Sequence, residues 1–345
     1  MELNYPVVLI VGAGATRGGL EKQSDPPPPI DLDFFDIANQ LKGHGTPKLA
    51  RRVLKSAWEL YGKTTGISLE KYYRDIETRA AIGRFAKTAN QPKNWQRRQR
   101  ELEELIRRVY IHTTCDTNRR PIKPKESQLH RKILARLEDK DTVVTFNYDL
   151  LIEESFEPGN LWTPINGYGD KAQGKRSDWC RLWLEKHECK TLTKSRILLL
   201  KLHGSLNWTL YNNRTIRLKP RPYVVRTKNA EPVVDKISVL PPGWNKRIDT
   251  NPYKLFWREA RLRLERCKTL VILGYSLPET DLLAHALFAE VVRSRQARKQ
   301  YLRQLHLADP SETIKEKFIN LFTPALGPHG KVFKYQNIQE VAERL

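Results

Sequence analysis

The chain has 345 residues, of which 39% are hydrophobic, and its 61 Lys and Arg against 39 Asp and Glu give a formal net charge of +22. With its 18 glycines added, the apolar share approaches the globular norm of about 45–50%, so the composition predicts a folded protein. The sequence has no run of about 18 apolar residues, which excludes a membrane-spanning helix, and residues 1–11 lack a basic segment before a long apolar core. We therefore expect a cytoplasmic protein. The excess positive charge favours an anionic partner without identifying it.

Five short apolar runs, each bounded by polar or turn residues, predict the buried strands of a parallel sheet. These runs are residues 7–11, 142–146, 197–202, 270–273 and 305–308. Apolar residues at helical spacing precede and follow the fourth run. They are Phe256, Ala260 and Leu264 before it and Leu283, Ala286, Leu287 and Val291 after it. This alternation of strands and helices predicts a doubly wound α/β fold.

The long segment between the first two predicted strands is too long to be one crossover connection. It contains apolar residues at helical spacing, among them Leu49, Val53 and Ala57. We therefore predict a helical subdomain at residues 40–140, inserted into a single domain that spans residues 1–345. The prolines at 26–29 precede it as a stiff loop. Two further insertions, at about 160–195 and 209–250, lack clean periodicity, although the second has strand-like pieces.

Positive charge is concentrated in residues 93–132, 211–230 and 291–303, which carry net charges of +7, +6 and +5. Each segment alone is typical of a solvated helix face. Together they predict a basic surface for an acidic partner or for nucleic acid.

The four cysteines, Cys115, Cys180, Cys189 and Cys267, are scattered and include no C-x-x-C pair. This spacing argues against a disulfide framework and against a structural zinc ribbon. No H-x-E and C-x-x-C metal pattern or carboxylate cluster favours nuclease chemistry either. We therefore expect no metal.

The first strand runs directly into the glycine-rich turn Gly12-Ala13-Gly14, followed by Thr16. Glycines at such a turn let the backbone approach a diphosphate, which main-chain N–H groups and the next helix N-terminus can bind. The turn departs from the G-x-G-x-x-G pattern because position 17 is Arg. A tight turn without a ligand is the alternative interpretation.

Polar residues also follow the other predicted strands. Asn147 and Asp149 come after the second strand, His203 and Gly204 after the third, and Asp309 after the fifth. Because open α/β sheets bind ligands at the carboxyl ends of their strands, we expect these side chains to line one site. A helix cap is the alternative for Asn147 and Asp149, and a structural role is the alternative for His203.

In this order, the motifs resemble those of the sirtuin (SIR2) superfamily, specifically its SIR2-like branch in bacterial antiphage defence. The matching segments are residues 12–16, 145–149, 203–204 and 274–277, with residues 240–246 and 274–281 similar to the SIR2-like branch in particular. The resemblance implies a Rossmann-like parallel sheet of the sirtuin type that handles NAD+. It covers about residues 6–309, with the helical insertion matched least.

The resemblance also assigns roles to individual residues. Asn147 would bind the nicotinamide ribose and a water molecule, and His203 would act as a general base. Asp149 would hold the nicotinamide carboxamide. The glycine turn, Thr16 and Arg17 would bind the diphosphate, and Ser276 and Asp309 would lie near the adenosine half. Gly274 would also take part in binding NAD+. The residues of the turn are Gly12, Ala13 and Gly14.

Two departures from deacylating sirtuins point to water as the acceptor. Residues 207–248 contain no cysteine to form the zinc ribbon, and no F-G-E-like strand is present to pair with an acyl-lysine peptide. The sequence therefore predicts a metal-free NAD+ glycohydrolase that releases nicotinamide and ADP-ribose in abortive-infection defence. A sensor that binds NAD+ or ADP-ribose without turnover is one alternative, and a protein deacylase is another.

Control of such an enzyme is expected to come from homo-oligomerisation or from a partner chain. By analogy with SIR2-like proteins of this type, the partner would be a HerA-type ring ATPase. The basic segments would be available for nucleic acid contact.

Overall fold

The computed structural model describes the greater part of the chain. The described residues are 6–20, 24–42, 46–85, 91–118, 122–156, 162–164, 166–169, 194–211, 215–218, 225–226, 232–233, 237–239 and 253–344. The predicted insertion at 160–195 falls mostly outside these residues, as do Cys180, Cys189 and residues 240–246.

Thirteen strands lie within the described residues. In chain order the strands are β1 (Val7–Val11), β2 (Cys115–Asp116), β3 (Lys123–Pro124), β4 (Thr142–Thr145), β5 (Leu198–Lys201), β6 (Gly204–Tyr211), β7 (Thr215–Leu218), β8 (Val225–Arg226), β9 (Pro232–Val233), β10 (Ile237–Val239), β11 (Thr269–Leu273), β12 (Leu302–Ala308) and β13 (Leu326–Tyr335).

The helices are α1 (Ala13–Leu20), α2 (Phe34–Gln40), α3 (Thr46–Tyr61), α4 (Leu69–Phe85), α5 (Gln91–Thr114), α6 (Gln128–Leu134), α7 (Leu151–Ser155), α8 (Tyr253–Arg266), α9 (Leu282–Ala297), α10 (Glu312–Phe322) and α11 (Ile338–Arg344). Short 3-10 turns lie at Asp31–Asp33 and Thr323–Ala325. Within the described residues, no helix combines the length and apolar character needed to cross a membrane.

Six parallel strands form the central sheet in the order β13-β12-β11-β1-β4-β5. Numbered by their place in the chain, these strands run 6-5-4-1-2-3, which is the Rossmann order read from the opposite edge. The direction of strand addition reverses between β1 and β11. This arrangement confirms the predicted doubly wound α/β fold, and all five predicted strands belong to the sheet.

The sixth strand, β13, was not predicted. Its sequence contains two glycines and a proline, and most of its residues are partly or fully exposed. An edge strand of this kind lacks the continuous apolar run that marks a strand covered on both faces. In contrast, every residue of β1 is at most 2% exposed.

The helices between β1 and β4 have a hydrophobic cluster of their own. It is formed mainly by α2 to α5 and includes Tyr72, Leu102 and Ile106, and it extends to Tyr148 and Leu206 beside the sheet. The cluster therefore packs against the segment after β4. The division of the chain into a domain and a 40–140 subdomain stays a prediction.

Arginines predicted to form the third basic segment are partly used within the fold. Arg295 is 1% exposed and donates hydrogen bonds to the carbonyls of Leu264 (2.6 Å) and Cys267 (2.7 Å) at the end of α8. These carbonyls have no partner within their own helix, and a cation is favourable at a helix C-terminus. Segment 291–303 therefore presents less free positive charge than its sequence predicts.

Buried histidines are expected to make the folded state sensitive to acid. Burial lowers the pKa of both His130 and His306 to about 4, below their ordinary value near 6.5. Between these values the unfolded chain binds protons that the folded chain does not, so the free energy of unfolding falls as the pH drops. Burial raises the pKa of Asp141 to about 6, from near 3.8, and this carboxyl acts in the opposite direction over that range. Burial also raises the pKa of Asp31 and Asp309, by less, and these carboxyls act in the same direction as Asp141. Over this range the two histidines outweigh the carboxyls.

We therefore expect the urea midpoint to decrease from pH 6.5 to pH 4.5. His306→Phe keeps an aromatic ring against Phe333. It should reduce the slope of the free energy of unfolding against pH by at most about 1.4 kcal/mol per pH unit, the value for one proton. His329→Phe, at an exposed position, is the matched control. Equal slopes for wild type and His306→Phe would contradict this expectation.

Candidate functional site

The loops after β1 and β11 pack backbone to backbone where the direction of strand addition reverses. Gly12 N donates to Leu273 O, and Gly14 N donates to Gly274 O, each at 2.9 Å. Gly274 has φ +55°, and a Cβ there would lie 2.2 Å from Ala15 N. A Cβ on Gly12 would lie 2.4 Å from Gly274 O. The close approach of the two loops thus requires these glycines, whatever ligand they bind.

Helix α1 begins at Ala13, within the glycine turn, and brings Thr16 to the end of β4. The Thr16 hydroxyl donates to Asp149 Oδ2 (2.9 Å) and accepts from Asn147 Nδ2 (2.9 Å). All three side chains are at least 93% buried. Thr16 therefore forms one hydrogen-bonded group with two predicted site residues that lie more than 130 positions away in the chain.

The loop that carries Asn147 and Asp149 is fixed by its own local contacts. Thr145 Oγ1 donates to Val11 O (2.9 Å) and accepts from the backbone N–H of Asn147 (3.1 Å). Asp149 Oδ1 accepts from Leu151 N (3.0 Å) at the start of α7. One oxygen of Asp149 therefore serves the helix start, as in the alternative interpretation, while the other holds Thr16.

Beneath this loop lies a buried ion pair that sequence analysis missed. Lys201, at the end of β5, donates to the carbonyl oxygen of Asp149 and to Glu153 Oε1 (2.8 Å). Tyr168 donates its hydroxyl proton to the same Glu153 oxygen (2.7 Å). Lys201 and Glu153 are each 1% exposed. A lysine inside an apolar strand is the sequence signal that could have indicated such a pair.

His203 follows β5 and is enclosed by aromatic rings. The ring of Phe146 meets it edge-on at 5.1 Å, and Trp257 lies 6.4 Å away with its indole N–H donating to Leu202 O. Gly204 next to it has φ +84°, a conformation that favours glycine. The imidazole Nε2 lies 3.3 Å from Oδ2 of Asp281.

Asp281 had no predicted role, although it ends the motif at 274–281. It is 1% exposed, and its carboxylate accepts from the hydroxyl of Tyr275 (3.0 Å) and from Ala284 N (3.4 Å) at the start of α9. The ring of Tyr275 stacks on Phe146 at 4.2 Å. Burial raises the pKa of Tyr275 well above 10, so its phenol stays a proton donor.

The other predicted residues lie around this group. Arg17 donates from Nε to the carbonyl of Pro28 (2.8 Å) and pairs with Asp33 (2.5 Å), so it holds the proline-rich loop. Its predicted contact with a diphosphate stays a prediction. Ser276 is exposed after β11.

Asp309 follows β12 and accepts from the backbone of Ser311 (2.9 Å), and burial raises its pKa. The contacts described for Asp309 are thus local, and its predicted place near the adenosine half stays a prediction.

The described residues include no group of three or more His, Cys, Asp or Glu side chains that could hold a metal ion. Of the cysteines, Cys115 and Cys267 are buried free thiols, and burial raises their pKa values to about 12 and about 11. Such thiols stay protonated near neutral pH and make poor metal ligands.

The sheet order and the glycine turn at its reversal point define an open α/β protein of the nucleotide-binding type. Residues 141–320 match the family model of the SIR2-like domain, and the chain belongs to this family. The match includes β4, β5, β11 and β12 and the polar residues that follow them. It does not include the glycine turn after β1.

Solved Sir2 structures also resemble the chain. A Sir2 homolog in complex with NAD is 12% identical, with a TM-score of 0.41, and the alignment covers 99% of this chain and 88% of that one. A Sir2 complex with a p53 peptide and NAD+ is 13% identical, with a TM-score of 0.37 and coverage of 99% and 92%. No curated protein sequence matches the chain.

Proposed function

We propose that this chain hydrolyses NAD+ to nicotinamide and ADP-ribose at the carboxyl ends of β1, β4 and β5. The observation that carries the proposal is the buried group of Thr16, Asn147 and Asp149, with His203 following the adjacent strand β5. Membership of the SIR2-like family supports NAD+ as the substrate. The N-terminus of α1 lies after β1, where open sheets bind nucleotides, while the N–H groups of Gly12, Gly14 and Ala15 donate to main-chain carbonyls.

The chemistry follows from the bond that must break. Nicotinamide leaves as a neutral base, and positive charge develops on the ribose in an oxocarbenium-like transition state. Asn147, held by Thr16, would orient the ribose and a water molecule, and Asp149 would hold the carboxamide of the leaving group. His203 would take a proton from a ribose hydroxyl or from water as the new bond forms.

Water is the proposed acceptor because the sequence lacks the parts that bind a protein substrate. Residues 207–248 include no cysteine for a zinc ribbon. A reaction with water needs only the dinucleotide site and a positioned solvent molecule.

The cellular role that we propose is antiphage defence by depletion of NAD+ in the cytoplasm. An enzyme of this kind needs control, which we assign to homo-oligomerisation or to a partner such as a HerA-type ATPase. Nucleic acid contact would fall to the basic segments at 93–132 and 211–230, since Arg295 in the third is buried.

Control by oligomerisation or by nucleic acid is tested by two measurements. Light scattering gives the oligomeric state, and NAD+ cleavage is measured with and without DNA or RNA across a salt series. A salt-insensitive monomer, fully active alone, contradicts it.

The reaction itself is tested by incubating the purified chain with NAD+ and separating the products. We expect nicotinamide and ADP-ribose in equal amounts when no acyl-lysine peptide is added to the reaction. Elemental analysis of the same protein should find no stoichiometric zinc. Products that appear only with an acyl-lysine peptide, together with about one zinc per chain, would support a deacylase instead. Binding of NAD+ by calorimetry without any product would support a sensor.

A further inference from the structure

His203 and Asp281 form a buried pair that the proposed reaction has not yet used. The imidazole Nε2 and the carboxylate Oδ2 are 3.3 Å apart, within reach of a hydrogen bond that closes slightly on substrate binding. The two residues are 4% and 1% exposed. They come from different parts of the sheet, His203 after β5 and Asp281 before α9.

The carboxylate of Asp281 is itself held in place. The hydroxyl of Tyr275 donates to Oδ2, and the backbone of Ala284 donates to Oδ1 as the first turn of α9 forms. The Asp281 backbone N–H donates to Pro278 O (3.0 Å). A carboxylate held by two such hydrogen bonds, on a backbone held by a third, can orient a neighbouring imidazole without a further loss of side-chain freedom.

We propose that Asp281 is a positioning residue for His203. Its carboxylate accepts the proton on Nε2, so that the neutral imidazole carries its hydrogen there and Nδ1 is the basic nitrogen. When Nδ1 takes a proton from a hydroxyl of the ribose or from water, the imidazolium that forms is stabilised by the adjacent negative charge. This role rests on the proposed function of His203 as a base in NAD+ cleavage.

Among the described residues, two phenols that face this pair stay neutral near pH 7. The ring of Tyr148 lies 6.3 Å from the imidazole, and Tyr275 contacts the carboxylate. Burial raises the pKa of both phenols well above 10, with Glu70 contributing in each case. Phe146 and Trp257 are the remaining ring neighbours of His203. Asp281 is therefore the carboxylate that the described residues bring to the imidazole.

The test is Asp281→Asn, which keeps the size of the side chain and can still begin α9, since Asn and Asp are similarly good helix caps. We expect kcat for NAD+ cleavage to fall about 10²–10⁴-fold with KM changed much less. We also expect the acid limb of the kcat/KM profile to move to lower pH, because an amide no longer favours the imidazolium. Glu279→Gln, which removes an exposed carboxylate two residues away, should change neither quantity.

Nitrogen NMR of ¹⁵N-histidine-labelled protein supplies a readout that does not depend on turnover. The His203 resonances, assigned with His203→Gln, should show the hydrogen on Nε2 in the wild type and a lower imidazole pKa in Asp281→Asn. Both results would support the pair even if the wild type left NAD+ intact, which would overturn the proposed function alone. A hydrogen on Nδ1 in the wild type, or a kcat and an imidazole pKa unchanged by Asp281→Asn, would overturn the positioning role.

Discussion

Replacing Asn147 or His203 by alanine is expected to abolish NAD+ cleavage while leaving the fold intact. Asn147→Ala removes the amide proposed to orient the ribose and water, and His203→Ala removes the proposed base. Each change should lower kcat/KM by about 10²–10⁴-fold or more. This range is the usual contribution of a positioned general base or an orienting polar group. Initial rates of nicotinamide release measure the effect.

Stability should change little in Asn147→Ala, because it removes polar end-of-strand atoms and little core volume. His203→Ala also removes a buried ring packed against Phe146, so we expect a larger decrease in Tm and compare rates at a temperature where the variant is folded. The hydrogen bond lost from Asn147 to Thr16 is worth about 1 kcal/mol, which moves the Tm by only a few degrees in a chain of this size. Asn320→Ala and His329→Ala, at exposed positions, are the matched controls. A folded Asn147→Ala or His203→Ala variant with the parental rate would show that the site assignment is wrong.

Replacing Lys201 by methionine is expected to give the largest loss of stability of any single change considered. Methionine fills a similar volume but leaves the Glu153 carboxylate buried, with the Tyr168 hydroxyl as its described donor. Breaking one half of a buried ion pair costs about 3–5 kcal/mol, since an uncompensated charge remains away from water. Urea denaturation at pH 7.5 measures the loss.

The double variant Lys201→Met with Glu153→Met separates this cause from lost packing. Removing both charges should recover most of the stability, because no buried ion is left without its partner. Lys48→Met, at an exposed helical position, should stay within about 0.5 kcal/mol of the wild type. A double variant no more stable than Lys201→Met would instead point to the lost hydrogen bond with the Asp149 carbonyl.

Several features of the fold could be predicted from the sequence because they depend on short segments of the chain. A strand buried on both faces needs a continuous apolar run, and the five such runs all lie in the central sheet. A glycine turn directly after the first run predicted the tight start of α1. The polar residues after the predicted strands were expected to line one site, since the carboxyl ends of parallel strands share one edge; those that follow β1 and β4 are in contact. Thr16, Asn147 and Asp149 do form one bonded group.

Other features depend on contacts between segments far apart in the chain. The pairing of His203 with Asp281 joins residues 78 positions apart, and no local pattern specifies their distance. The burial of Arg295 could not be predicted either. A basic helical segment looks the same in the sequence whether its arginines face solvent or the end of another helix. The edge strand β13 lacks an apolar run because most of its residues are partly or fully exposed, which only the packing of the sheet decides.

The sequence by itself thus determined the class of fold, the order of its strand-end motifs and the family to which they point. Local hydrophobicity, turn chemistry and motif spacing carry that information. Only the tertiary structure decided which charges are buried, which carboxylate reaches His203, and that Gly12 and Gly274 are required by the packing of two loops. These outcomes depend on distances of a few ångströms between separate segments, which the packing of the whole sheet and its helices sets.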